Sequence, residues 1–344
     1  MKTAVLLHPN RIEIQERPAP QPGPDDVLIR VRAVGICGSD THYFAGRRDH
    51  EPQTVYPFVL GHEFSGEVAA VGERVTDIEL GTRAVCAPDI TCGECEWCKK
   101  GETNVCPNVR FAGSGGVTGC LSEYFLVRRS QVHPIPDTLG FAEATLAEPL
   151  AIGLHIVDNL VAPKGAETYA VIGVGPIGLC TVFAASRRGA GRIYAADLHA
   201  NRLEAARKLG AHRTCLVPQD DFVRFVHEQT GGRGVDVAVE AAGELEPMRQ
   251  LTRLACIHGL AIIEGIPPSG EATIAIDAAR RRELTLIFGR RSLRKTAEAI
   301  RLIADGDFDP SVMLTHQFPL AETQWAFEYA RDYKDGVIKA IVTP

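Results

Sequence analysis

The sequence predicts an α/β chain of two units, a doubly wound parallel sheet and an irregular, mainly β domain. Three observations carry that expectation. A length of 344 residues exceeds what one ordinary core supports. Up to about residue 150, short β-type runs are punctuated by Gly and Pro. From about residue 153, apolar strands alternate with helical stretches.

In chain order, the first unit shows strand-like runs at 27–34, 67–71, 83–86 and 122–127. The second opens with a strand at 169–172, a helix at 176–188, a strand at 192–196 and a helix at 201–209 closed by Gly210. Further apolar strands follow at 235–240 and 260–264. Beyond about 280 come a strand at 284–288, helices at 293–304 and 321–331, and a terminal strand at 338–342. The simplest organisation inserts one unit, 153–286, between the two parts of the other, 1–152 and 287–344. Apolar runs at 261–266 and 272–276 read either as interior strands or as surfaces that join copies of the chain.

Composition narrows the function. Apolar residues make up 45% and charged residues 23%, the balance of a globular protein. A formal charge of −6 offers no basic field, so neither nucleic acid nor a membrane surface is expected as a partner. The apolar run at 4–7 is too short for a signal-peptide core. The segment 169–185 is apolar enough to suggest a membrane span, but Gly173, Gly175, Pro176 and Gly178 interrupt it. A cytoplasmic protein is expected. Of ten cysteines, four crowd between Cys92 and Cys106, which in such a chain points to a metal site and not to disulfides.

Two motifs carry chemistry on their own. The predicted strand at 169–172 runs into Gly173-Val174-Gly175-Pro176-Ile177-Gly178 and then a helix. In that context the first Gly allows a tight turn, the second lets a pyrophosphate approach the backbone, and the third permits close helix packing. Asp197 ends the next strand, at the distance expected of a carboxylate that binds the ribose hydroxyls and repels a 2′-phosphate, so NAD is expected over NADP. Arg202 weighs slightly the other way. The second motif is Cys92, Cys95, Cys98 and Cys106. Four thiolates at these spacings close a tetrahedron around one Zn²⁺ and leave no open position, so that ion is structural.

A looser set consists of Cys37, Ser39, Asp40 and His42, then Gly61-His62-Glu63, then Glu148-Pro149. Separately these are weak signals. In this order and at these intervals, together with the Cys92–Cys106 lobe and the glycine turn, the chain resembles the zinc-containing medium-chain alcohol dehydrogenases, nearest the sorbitol and polyol branch. The resemblance covers essentially the whole chain. It implies a Rossmann nucleotide domain and a GroES-like catalytic domain. It also implies a catalytic zinc held by Cys37 and His62 with Glu63 and Glu148, either carboxylate binding directly or through water. Asp40 would orient His62, and Ser39 and His42 would relay the substrate proton.

The implied reaction moves a hydride between a secondary alcohol and NAD, with two zinc ions per chain. Gly265, Ile266, Phe288 and Gly289 join the glycine turn as implied cofactor contacts, and Tyr43, Phe111 and Phe288 as implied pocket walls. Where polyol dehydrogenases often carry Arg-Tyr after the equivalent of Phe288, this chain has Gly289-Arg290-Arg291. Arg290 is accordingly read either as a contact to an acidic, sugar-acid type of substrate or as a group facing pyrophosphate or solvent. The rival readings are an amino-alcohol dehydrogenase acting on threonine and a noncatalytic zinc-stabilised nucleotide-binding protein. A homo-oligomer, dimer or tetramer, is expected.

Overall fold

The computed structural model describes residues 1–48, 54–114, 116–162, 165–267 and 270–344. It divides into two compact units, Met1–Glu148 with Thr296–Pro344, and Pro149–Lys295. The junctions differ from the expected 152/153 and 286/287 for a physical reason. The strand Thr285–Phe288 pairs in parallel with Ala255–Ile263, so a boundary at 286 would cut a hydrogen-bonded ladder.

In the second unit six parallel strands lie in the order Arg213–Leu216, Arg192–Asp197, Thr168–Ile172, Val235–Glu240, Ala255–Ile263, Thr285–Phe288. The chain starts in the middle, winds to one edge, returns and winds to the other. That is the doubly wound order of dinucleotide-binding sheets. The central strands are buried on both faces: Ala170, Val171, Val237, Ala238, Val239, Ala261 and Ile262 are all fully covered. The segment 169–185 that suggested a span is therefore a buried strand and the buried helix Pro176–Arg187. The helical run Phe141–Val161 is long and apolar enough to cross a membrane, yet 72% of its most apolar window is buried inside the protein.

The runs singled out as joining surfaces separate. Ala261, Ile262 and Ile263 are interior residues of a strand, whereas 272–275 form no strand and lead into the helix Ile276–Arg281.

The first unit is a mixed β structure. Its main sheet runs Leu314–Pro319, Lys339–Thr343, Asp26–Gly35, Glu63–Val71, Arg83–Cys86, Val132–Pro134, with Tyr124–Arg128 also paired to Asp26–Gly35. The strand Asp26–Gly35 is the hub: its end residue Gly35 pairs with Glu63 on one side and Ile341 on the other. The sheet covers an apolar core that includes Val27, Ile29, Phe44, Phe64 and Phe327. A hairpin of Lys2–His8 and Arg11–Glu16 completes the unit, and the sequence reading missed it.

Candidate active site and metal centres

The hub strand delivers the scattered residues to one place. Cys37 follows it directly and stands at the N-cap of the helix Gly38–Phe44, while His62 and Glu63 open the neighbouring strand. The ligand atoms of Cys37, His62 and Glu63 lie within 4.8 Å of one another. Asp40 is 1% exposed and organises them: one oxygen accepts from the Cys37 N–H at 3.2 Å, and the other lies 3.3 Å from His62 Nδ1 and from the Gly61 N–H. A carboxylate on Nδ1 leaves Nε2 as the ring's free donor atom, the usual support for a metal-bound imidazole. Burial lowers the His62 pKa, but the charges of Asp40 and Cys37 outweigh it and raise the pKa well above its ordinary value.

The sequence reading did not find Lys339. This lysine is 1% exposed and lies 276 residues beyond Glu63 in the chain. Its ammonium donates to both Glu63 oxygens (2.8 and 2.6 Å) and to the Ile36 carbonyl (3.1 Å), so three protons meet three acceptors. Both side chains are buried, and such charges persist only as pairs. Gly35 makes the room: a Cβ there would stand 2.4 Å from a Glu63 oxygen. A signal was present in the sequence, since Lys339 interrupts an otherwise apolar terminal strand.

Glu148 is half-buried at the start of the helix Ala147–His155, outside the 4.8 Å group. Burial pushes its carboxyl up to about 7, with the charges of His62, Glu63 and Lys339 acting on it at short range. Ser39 and His42 share the helix that Cys37 caps. Burial, and then the charges of Arg47 and Arg48, hold His42 down at about 4. Its Nδ1 has no hydrogen-bond partner among the described residues.

Two of the expected pocket walls lie in the same unit. The Phe111 ring is 5.0 Å from the His62 ring, while Tyr43 is 3% exposed and packs edge-on against Phe58. Phe288, by contrast, is 70% exposed at the end of an edge strand, and Arg290 beyond it is exposed.

The four-cysteine lobe is folded as the spacing demands. Cys95 caps the short helix Glu96–Lys100 and accepts from the Cys98 N–H, and the paired segments Asp89–Ile90 and Arg110–Phe111 close the lobe. Sulfur–sulfur distances are 3.9 Å for Cys92–Cys98, 3.9 Å for Cys95–Cys106 and 3.6 Å for Cys92–Cys106. Zinc–sulfur bonds of ~2.3 Å put the corners of a tetrahedron about 3.8 Å apart, so the quartet fits one ion. These distances are far beyond a disulfide bond. The N–H groups of Glu94 and Cys95 hold the Cys92 thiol down at about 6, while Cys98 is pushed up to about 12 by burial and by its sulfur neighbours. A shared cation offsets that mutual repulsion.

In the second unit the three glycines of the turn stand in different surroundings. Gly173 takes φ +83°, and a Cβ on Gly178 would stand 2.0 Å from the Gly173 carbonyl. Beside Gly175 a Cβ would meet only the Arg202 guanidinium, at 3.7 Å, so the backbone is open to an approaching phosphate. The helix Pro176–Arg187 starts there and offers free N–H groups. Asp197 is 6% exposed and accepts from the Val174 and His199 N–H groups at 2.9 and 3.0 Å. Arg202 stands 3.9 Å from it. Gly265 and Ile266 pack against Gly243, and the Gly289 N–H donates to the Ile263 carbonyl.

Comparison with known proteins identifies the family. Residues 23–137 match the alcohol dehydrogenase GroES-like domain and residues 176–305 the zinc-binding dehydrogenase domain. A sorbitol dehydrogenase of Bacillus subtilis (strain 168) is 38% identical, over 100% of this chain and 97% of its own length. Among solved structures, a putative zinc-binding dehydrogenase from Sinorhizobium meliloti 1021 bound to NADP superposes with a TM-score of 0.91 at 34% identity, covering 100% of this chain and 99% of that one. An alcohol dehydrogenase from Escherichia coli CFT073 complexed with NADH also gives 0.91, at 28% identity and the same coverage. The chain is an oxidoreductase of the zinc-containing medium-chain alcohol dehydrogenase family, and it falls with the sorbitol dehydrogenase branch.

Proposed function

We propose that this chain is a zinc- and NAD-dependent polyol dehydrogenase, acting on a secondary hydroxyl of a polyol, sugar alcohol or sugar acid. The observation that carries the reading is the trio of half-buried Cys37 with buried His62 and Glu63, with Asp40 fixing the imidazole. Cys37 and His62, with a carboxylate from Glu63 or Glu148, would hold one zinc, and the four-cysteine lobe a second, structural one. When bound, the first ion supplies Lewis-acid polarisation of the substrate hydroxyl. The chain's own residues do the rest. Asp40 orients His62, and Ser39 takes the hydroxyl proton. His42 would pass that proton outward as a transient carrier, since its low pKa keeps the ring neutral near pH 7 and disfavours holding the proton there.

The preference for NAD rests on Asp197, whose carboxylate keeps acceptor capacity beyond its two N–H partners and would repel a 2′-phosphate. All ten cysteines are free thiols, which supports a reducing, cytoplasmic setting.

The test is a substrate panel of sorbitol, xylitol, inositols and threonine, each with NAD and NADP, on protein of verified zinc content. Oxidation of a polyol with NAD and two zinc ions per chain is expected, with Cys37→Ser losing activity and one of the two. Fully zinc-loaded protein that reduces neither cofactor with any polyol refutes the reading. Preferential oxidation of threonine would transfer it to the amino-alcohol dehydrogenases.

A further inference from the structure

The strand Val235–Glu240 ends on a carboxylate that is 0% exposed and takes no part in the mechanism above. Its side chain folds back over the strand end. One oxygen of Glu240 accepts from the Ala242 and Gly243 N–H groups, at 2.8 and 2.7 Å. The other is buried and makes no hydrogen bond of full geometry among the described residues, with the Glu244 and Gly265 N–H groups directed at the same carboxyl. An arrangement that leaves a buried acceptor short of a full hydrogen bond is costly, so it calls for a reason.

The surroundings supply one. The Glu240 carbonyl accepts from the Glu264 and Gly265 N–H groups, at 2.9 and 3.1 Å. One residue thus grips two loops, 241–243 with its side chain and 264–265 with its backbone. The packing leaves no slack: a Cβ on Gly265 would stand 2.4 Å from that second oxygen and 2.3 Å from the Gly243 nitrogen. A Cβ on Gly173 would stand 2.6 Å from that of Ala242, and the Ala241 N–H donates to the Ile172 carbonyl at 2.9 Å. Three loops at the carboxyl ends of three adjacent parallel strands therefore meet here, two of them held by Glu240 itself and the third packed against Ala242. Doubly wound sheets bind their ligands at that edge. Asp197 lies on the strand to one side of the glycine turn and marks the adenosine ribose. Glu240 and its loops lie on the other side, where the second half of a dinucleotide must go.

We propose that Glu240 is a positioning residue of the nucleotide site, whose buried carboxyl holds loop 241–243 and whose backbone carbonyl holds loop 264–266 beside the Gly173 turn, as a pre-set shelf for the nicotinamide half. This rests on reading the 173–178 turn as the dinucleotide site. A shelf already ordered spares the ligand the entropy of ordering it. Glu240 touches no reacting atom and acts through the loops.

The test is fluorescence titration of the zinc-loaded full chain with NADH, beside calorimetric titration with 5′-AMP, which engages the adenosine side alone. Glu240→Gln keeps the oxygen that accepts from Ala242 and Gly243, and is expected to hold NADH within about threefold of wild type. Glu240→Ala is expected to weaken NADH by about tenfold or more, the loss of one to two hydrogen bonds, and to leave AMP unchanged. That selectivity separates positioning from general destabilisation. Equal weakening of AMP and NADH, or no weakening of either, overturns the proposal. Should Glu240→Ala fail to fold, Gly265→Ala presses on the same carboxyl from the other side and must weaken NADH selectively; unchanged NADH affinity there is equally fatal. A wild type that binds AMP but neither NADH nor NADPH removes the dinucleotide reading itself, and the proposal with it.

Discussion

At the scale of single residues, the burial of charge separates what the sequence announces from what it hides. Cys37, His62 and the four lobe cysteines are residue types that bind metals, so their order and spacing point to a function before any coordinates exist. Lys339 carries no such mark. Its role arises because the last strand pairs with Asp26–Gly35, which in turn pairs with the strand of Glu63. Removing one member of a buried pair leaves the other charged and uncompensated. Lys339→Met is therefore expected to cost ~3–5 kcal/mol of unfolding free energy. Urea denaturation should show this loss, and adding Glu63→Gln should recover part of it. A cost below about 1 kcal/mol would place the pair among ordinary surface bridges.

At the scale of elements, the strands and helices of the nucleotide unit were the most legible. Val235–Glu240 was read to the residue, and the strand and helix flanking the glycine turn to within one. Strands buried on both faces are continuous apolar runs, and Gly or Pro marks their ends. The strand Ala255–Ile263 begins five residues before the expected 260, because His258 and Gly259 separate its apolar start from the apolar run that follows. The edge strand Thr285–Phe288 is paired on one side only. Phe288 at its end is 70% exposed, and Ile276 and Ile266 elsewhere in the unit are 63% and 45% exposed. An open edge that ends on an exposed apolar side chain is a template for pairing with a second copy. Sedimentation equilibrium is expected to find a dimer or tetramer, with Ile276→Lys shifting it toward monomer. A wild type that is monomeric at micromolar concentration would rule that edge out as an interface.

At the scale of the whole molecule, buried acids should shape stability across pH. Burial pushes Glu240 up to about 7 from an ordinary 4.5, against the opposing N–H groups of Gly243 and Ala242. Below about 4.5 both folded and unfolded chains hold the proton. Between about 4.5 and about 7 only the folded chain holds it, so stability falls as pH rises through that window and levels off above it. Asp236 acts elsewhere: despite burial, its hydrogen bonds to Arg233 and Thr168 hold it at about 2, and its contribution fades only as pH drops below an ordinary 3.8. Glu240→Gln should flatten the part of the decline that Glu240 causes. Thermal midpoints taken in steps from pH 4 to pH 8 check this, and a decline as steep in the variant as in wild type would disprove the assignment.

The sequence alone determined the doubly wound sheet, the nucleotide turn with Asp197, the four-cysteine lobe and the family, because each is local or lies in a fixed order along the chain. Only the tertiary structure decided that Lys339 meets Glu63 and that Glu240 grips two loops beside the glycine turn. It also decided that Tyr43 is packed into a core while Phe288 stands in the open. Burial and pairing across hundreds of residues depend on strand order and register, and no short stretch of sequence records those.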